Sequence, residues 1–333
     1  PDFDPRGIQA FTSLGEAGPA PVVFHHEPAT RHLPPMPAVL QKAEMYNRRG
    51  RTLDFEDPDQ LLHGDFPGGL KDLDTTRCEV KEAMVDSYAR WIELIDADGF
   101  RIDTVKHVER EFWRYFTQKV RQRLADAGKQ RFFMFGEAFD GRPELVGTYT
   151  QNDQPSAAQQ AREAECVSDN LALTGDQLDS MFHFPQYYKV FRDVFQLGLS
   201  TDRIEKLWQE RALHYAMEAP ELGAGVAPIE ALVNFIDNHD VPRFLFHDGD
   251  VDALHAALVL LMTEQGIPCL YYGTEQQFNG GNDPANREDL WGSAYDTGGA
   301  TFGWIKRLTE LRKQHLALRR GEQRVVWASA RTA

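Results

Sequence analysis

From Glu79 onward the chain alternates between two hydrophobic patterns. Apolar residues recur at three- and four-residue spacing over Glu79 to Ala97, Val108 to Ala127, Thr201 to Met217, Val251 to Gln265 and Thr301 to Leu318, which predicts five amphipathic helices. Between and beside them lie five short apolar runs bounded by polar residues, glycine or proline. They are Gly99 to Asp103, Arg131 to Gly136, Leu178 to Phe184, Ala231 to Ile236 and Ile267 to Tyr272. These runs predict strands, and their alternation with helices predicts parallel βα units. Two stretches break the rhythm. Residues 1–70 carry Pro34, Pro35 and Pro37 and show no βα period, so they read as a loop-rich excursion. Residues 141–177 are polar and read as a long loop, or a helix with loops, between two strands.

A barrel of this type has eight strands. On the expectation that the architecture is a (β/α)8 TIM barrel, the first three strands would precede Pro1 and the chain would be a fragment. Residues 71–320 would then hold barrel strands four to eight with their helices. The ending, Arg324 to Ala333, would open a C-terminal β domain at 321–333.

Composition narrows the function classes. A length of 333 residues with 42% apolar and 26% charged content suits a globular protein and excludes disorder as the default. The 36 basic and 51 acidic side chains give a net charge of −15, which repels phosphate backbones and anionic lipid. Neither nucleic acid nor a membrane surface is an expected partner. The longest apolar run, around Ala256 to Met262, is far short of the roughly 20 residues that a spanning helix needs. Cys78, Cys166 and Cys269 are odd in number, widely spaced and without metal-type pairing, and they read as free thiols. The opening PDFDPRG shows no signal peptide, so the compartment stays open; a secreted or periplasmic location is expected for a complete protein.

In a parallel α/β barrel the active site lies at the carboxyl ends of the strands, and three predicted strands here run into carboxylates: Asp103, Glu137 and Asp240. Arg101 and Asp103 are two apart on one strand and so share a face, with Phe100 and Ile102 turned toward the helices. A guanidinium beside a carboxyl favours the ionised form that a nucleophile needs. Glu137 follows Phe132, Phe133, Met134 and Phe135, and an apolar setting favours the protonated form that a proton donor needs. Two carboxyl groups with opposed environments, roughly 5 to 5.5 Å apart, are the equipment of a retaining glycosidase. A lone acid at such a position is more often a helix cap or a surface ion pair, but three together reverse that preference.

The segments GFRIDTVKHV, FMFGEAF and FIDNHD resemble three short blocks of the α-amylase family, glycoside hydrolase family 13. KDLDTT at Lys71 to Thr76 resembles the close of that family's domain B, and YYGTEQ with GGNDPANRE resembles its last barrel strand and loop. The resemblance covers about Arg51 to Gly321 and implies cleavage of α-1,4-glucosidic bonds in starch-like polymers or maltooligosaccharides by a monomer. It implies Asp103 as the nucleophile, Glu137 as the general acid and base, and Asp240 as the third carboxylate that helps distort the sugar ring. Arg101 would orient the nucleophile, His239 would bind sugar hydroxyls, Lys106 and His107 would make acceptor-side contacts, and Asp283 and Arg287 donor-side contacts. It also implies a structural calcium held by Asp72 and by the backbone carbonyl of His107, since hard oxygen donors suit that ion. The family's first block, its Asn ligand to calcium and its sugar-stacking aromatic have no match here. The chain alone would therefore have little activity.

Phe139 and the GTEQ and NDPANR segments also resemble the transglycosylating branch, such as cyclodextrin glucanotransferases and maltogenic amylases. A non-catalytic barrel module is the reading from a different class; it would have lost the carboxylates that this sequence keeps. Trp91, Trp113 and Trp208 read as helix packing rather than sugar platforms, and His183 and His214 as core or surface groups. His25 and His26, adjacent in a loop, are weak metal candidates.

Overall fold

The computed structural model describes residues 2–3, 36–66, 70–151, 156–166, 175 and 177–331. His25, His26, Pro34 and Pro35 lie outside the described residues. The chain falls into two compact units, one of residues 1–134, 152–178 and 220–225, the other of residues 135–151, 179–219 and 226–333.

The first unit contains α1 (Pro58–His63), α2 (Cys78–Ile95), β1 (Gly99–Ile102), α3 (Arg110–Asp126), the opening of β2 (Phe133–Gly136) and α5 (Ala157–Glu165). Helix α2 buries Val80, Ala83, Val85, Ala89 and Ile92, the stripe that the helical spacing predicts. It stops at Asp96, which takes the left-handed conformation (φ 54°) that closes many helices. At β1, a Cβ on Gly99 would lie 2.5 Å from the carbonyl oxygen of Phe133, so only glycine lets these backbones approach. Phe100 meets Phe132 (4.9 Å between centroids) and Tyr88 of α2 (5.7 Å), which puts the Phe100 face toward the helices as the alternation predicts. Helix α5 opens with a reciprocal capping box between Ser156 and Gln159.

The cysteine expectation is overturned in this unit. Cys78, the first residue of α2, is disulfide-bonded to Cys166, which caps α5, across 88 residues of sequence; Cys269 is free. Spacing alone could not show the pairing, because α5 must first dock on α3 to bring the two sulfurs together. That docking rests on a buried ion pair between Arg114 and Glu163 (2.6 Å) and on a hydrogen bond from Gln159 to Glu111 (2.8 Å).

The second unit contains the end of β2, α4 (Pro143–Gly147), β3 (Ser180–Met181), α6 (Phe184–Gln186), a π-helix over Tyr187–Gln196, α7 (Asp202–His214), β4 (Val233–Phe235), α8 (Val251–Thr263), β5 (Ile267–Cys269), α9 (Ala300–Gln314) and α10 (Leu316–Arg320). Its strands are parallel neighbours: Phe135 pairs with Ser180, Gly136 with Met181, Phe182 bridges to Val233, and Val233 pairs with Ile267. Strand β4 is buried at every position, as a parallel strand covered on both faces must be. Helix α8 is capped by the Asp250 carboxylate on the Asp252 amide and packs Leu254, Leu258 and Leu261 against Phe191, Ile236, Phe244 and Leu308.

All five predicted strands and five predicted helices are present, with shorter strand limits. The run Leu178 to Phe184 is strand only over Ser180–Met181, because Pro185 starts a helix at Phe184, where a missing amide is tolerated. Of the tryptophans, Trp113 is buried and donates to the Val105 carbonyl (3.0 Å), and Trp208 stacks under Arg211, but Trp91 is 59% exposed and is not a core packing residue. Residues 324–331 carry no strand.

Candidate active site

In the first unit Asp103 follows β1 and is ion-paired with Arg101 two positions earlier, the same-face arrangement that strand alternation dictates. Its side chain is 65% exposed. Thr104 then turns into the left-handed region (φ 53°), and a 3-10 turn over Val105–His107 carries Lys106 and His107. The His107 ring is wedged edge-on against Phe55 and Phe66, with Nδ1 3.2 Å from the Leu61 carbonyl. Burial, and then the neighbouring Lys106, hold its pKa below the ordinary histidine value.

Asp72 lies in the same unit, its Oδ2 accepting a hydrogen bond from the Asn47 amide (2.6 Å). Burial, partly offset by that bond, pushes its carboxyl up to about 8, and the nearby carboxylates Glu109, Asp65 and Asp74 push the same way. A buried carboxylate among like charges is the electrostatic setting a cation would relieve. Asn47, absent from the expected ligand set, would offer an ion a second hard oxygen if its amide were turned. Among the described residues no three Asp, Glu, His or Cys side chains converge on one point, so an ion here would need Asn47 and main-chain carbonyls beside Asp72.

In the second unit Glu137 leaves the end of β2 and is 5% exposed, while Phe139 two residues on is 40% exposed, its ring edge against Phe184. Asp240 ends the segment after β4. Its carboxylate lies 3.2 Å from His239 Nε2 and 3.9 Å from Arg287, and Arg287 in turn holds Asp283 at 2.5 Å. Four residues chosen from the sequence are thus brought together here.

What fixes Asp240 was not chosen. The Asn238 side-chain oxygen accepts from the amides of Asp240 (2.8 Å) and Val241 (3.1 Å), and Asn286 donates to the carbonyls of Asn238 and Val241. Asp237, fully buried and pushed up to about 6 chiefly by that burial, accepts from the Phe244 amide and the Thr274 hydroxyl. Arg243, with no exposed surface, stacks on Tyr271 (4.1 Å) and pairs with Glu288 (3.1 Å). The available signal was that FIDNHD holds one asparagine and NDPANR two, each beside a charged residue, and buried amides in a loop are there to satisfy backbone groups.

Asp103 thus follows β1, Glu137 follows β2 and Asp240 lies in the segment after β4, the strand-end positions where an α/β barrel carries its functional side chains. The chain belongs to the α-amylase family: the model of the α-amylase catalytic domain matches residues 25–211. It is 31% identical over 306 residues to a β/α-amylase of Paenibacillus polymyxa, covering 87% of this chain and 21% of that protein. It is 31% identical over 261 residues to a cyclomaltodextrin glucanotransferase of a Bacillus species, covering 78% of this chain and 30% of that one. The solved α-amylase of Geobacillus thermoleovorans complexed with acarbose superposes with a TM-score of 0.61 at 26% identity, over 83% of this chain and 53% of that one. The chain thus spans a fifth to about a third of the length of these two curated relatives. The structural neighbours are (β/α)8 barrel proteins.

Proposed function

We propose that the protein is a retaining α-glucan hydrolase that cleaves α-1,4-glucosidic bonds through a covalent glycosyl-enzyme intermediate, its strands β1 to β5 being the fourth to eighth of an eight-stranded barrel. The observation that carries this reading is the order of strand-end acids: Asp103 after β1 with Arg101, Glu137 after β2, and Asp240 after β4 in its hydrogen-bonded loop. Asp103 attacks the anomeric carbon while Glu137 gives its proton to the departing glycosidic oxygen. Glu137, now ionised, takes a proton from water, which attacks the same carbon and frees Asp103. Asp240, His239 and the Arg287–Asp283 pair bind sugar hydroxyls. Acarbose in the Geobacillus thermoleovorans relative fits an α-glucan as the substrate class.

Calcium is part of this proposal, held by Asp72, Asn47 and the carbonyl of His107 and serving to fix the Lys106–His107 turn. The Cys78–Cys166 disulfide supports an oxidising compartment, secreted or periplasmic. The test is turnover of soluble starch by Asp103→Asn and Glu137→Gln. Each should lose several orders of magnitude with an unchanged melting curve. A variant keeping a tenth of the parent rate would remove that residue from its role. A second reading, transglycosylation, draws on the exposed Phe139 ring, which offers an acceptor sugar a stacking face, and on the glucanotransferase relative. Cyclic rather than linear products from starch would select it.

A further inference from the structure

Two loops of the second unit meet at Asn286, a residue that no step of hydrolysis uses. One, residues 280–287, carries Asp283 and Arg287; the other, residues 237–241, carries His239 and Asp240. Asn286 has no exposed surface, and its Nδ2 donates to the main-chain carbonyls of Val241 (2.9 Å) and Asn238 (3.2 Å). Only a donor can face two carbonyls, so its neighbours fix the orientation of this amide. From within the other loop, the Asn238 side-chain oxygen accepts from the amides of Asp240 (2.8 Å) and Val241 (3.1 Å).

Asn238 thus satisfies N–H groups of the 238–241 turn and Asn286 its carbonyls, while the side chains of His239 and Asp240 project from it. The 280–287 loop is itself tied down. A Cβ on Gly280 would lie 1.9 Å from the Ala285 carbonyl oxygen, the Ala285 amide donates to the Asn282 carbonyl (2.8 Å), and Gly280 accepts from the Arg243 amide (3.0 Å). The Glu288 carboxylate joins the Gly280 amide (2.6 Å) to the buried Arg243 guanidinium (3.1 Å). The Asp240 carboxylate is held less closely, with His239 at 3.2 Å, Arg287 at 3.9 Å and 35% of its side chain exposed. Its placement therefore comes chiefly through its main chain.

We infer that Asn286 is a positioning residue for Asp240, acting through the Asn238 and Val241 carbonyls to set where the carboxylate meets the sugar. The inference rests on the proposed function. Asn286 offers no surface to a substrate, so its loss should displace a group that acts in the transition state and lower kcat with little change in KM.

The test is the initial rate of maltoheptaose hydrolysis by Asn286→Ala and Asn286→Asp from pH 5 to pH 8, each divided by the parent rate at the same pH, with circular dichroism to check the fold. Asn286→Ala should lose about tenfold to a hundredfold in kcat at every pH, with KM within about threefold. In the Asn286→Asp protein, burial favours the protonated carboxyl, which can donate to one carbonyl, whereas the ionised form repels both. Its relative kcat should be several-fold higher at pH 5 than at pH 8 with an unchanged dichroism spectrum, a trend that lost packing alone would not give. This pH series is close to isosteric and stands even where Asn286→Ala misfolds. Relative kcat near one in both variants, an effect confined to KM, or an Asn286→Asp protein whose relative rate is flat with pH would overturn the inference and leave the proposed function in place. A parent protein that does not cleave maltoheptaose would overturn both.

Discussion

The two units hold their acidic residues in different ways. In the first, Asp103 is largely open to solvent and is paired with Arg101. In the second, Asp240 sits in a loop whose amides and carbonyls are taken up by Asn238 and Asn286, with Asp237 and Arg243 buried behind it. The same contrast runs through the packing. In the second unit apolar clusters surround α8 and β4; in the first, apolar burial along α2 and α3 is joined, at α5, by a disulfide and the buried Arg114–Glu163 pair. The polar α5 segment has little apolar surface to bury, so covalent and ionic ties fix it instead. Order near a site can thus come from hydrophobic burial or from cross-links, and the two respond to different perturbations.

The sharpest way to break this contrast is to remove the cross-link. Closing a loop of 88 residues contributes about 4 to 5 kcal/mol in the chain-entropy model. Cys78→Ser with Cys166→Ser, or reduction of the parent protein, should lower the melting temperature by roughly 5 to 15 °C. Proteolysis mapped by mass spectrometry should open α5 first. A melt that ignores reductant would show that the disulfide contributes nothing.

The apolar counterpart is Leu258, fully buried in the α8 cluster. Leu258→Ala should cost about 3 kcal/mol, measured by urea unfolding, whether or not reductant is present. A cost that appears only in reductant would mean that the two units do not rely on separate devices.

A smaller effect concerns pH. Because Asp72 is raised to about 8 in the folded protein, its proton is retained on folding. Its contribution to stability is full below its unfolded value, near 4, and is lost as pH rises through about 8. Calcium requires the ionised carboxylate and competes with that proton. The gain in melting temperature from calcium over chelator should therefore be larger near pH 9 than near pH 5, and Asp72→Asn should abolish the difference. Superimposable curves at both pH values would remove the ion from the account.

The hydrophobic pattern made the helices and strands legible, since periods of 3.6 and 2 follow directly from backbone geometry. The strand-end acids were legible for the same reason. Three things were not. Cys78 and Cys166 meet only after α5 docks, so their pairing is tertiary information. The helix from Phe184 hid inside an apolar run that reads equally as strand, until Pro185 is given its first-turn role. Trp91 lies at helical spacing yet faces outward, because periodicity identifies a stripe without saying which residues at its margin are covered.

The central claim is that Asp103 forms a covalent bond to the sugar. Incubation of the Glu137→Gln protein with an activated α-maltosyl fluoride, whose leaving group needs no proton from position 137, should accumulate that intermediate. Peptide mapping by mass spectrometry is then expected to find one maltosyl group esterified to Asp103. An adduct on another residue, or hydrolysis that inverts the anomeric centre with no adduct at any time point, would contradict the account.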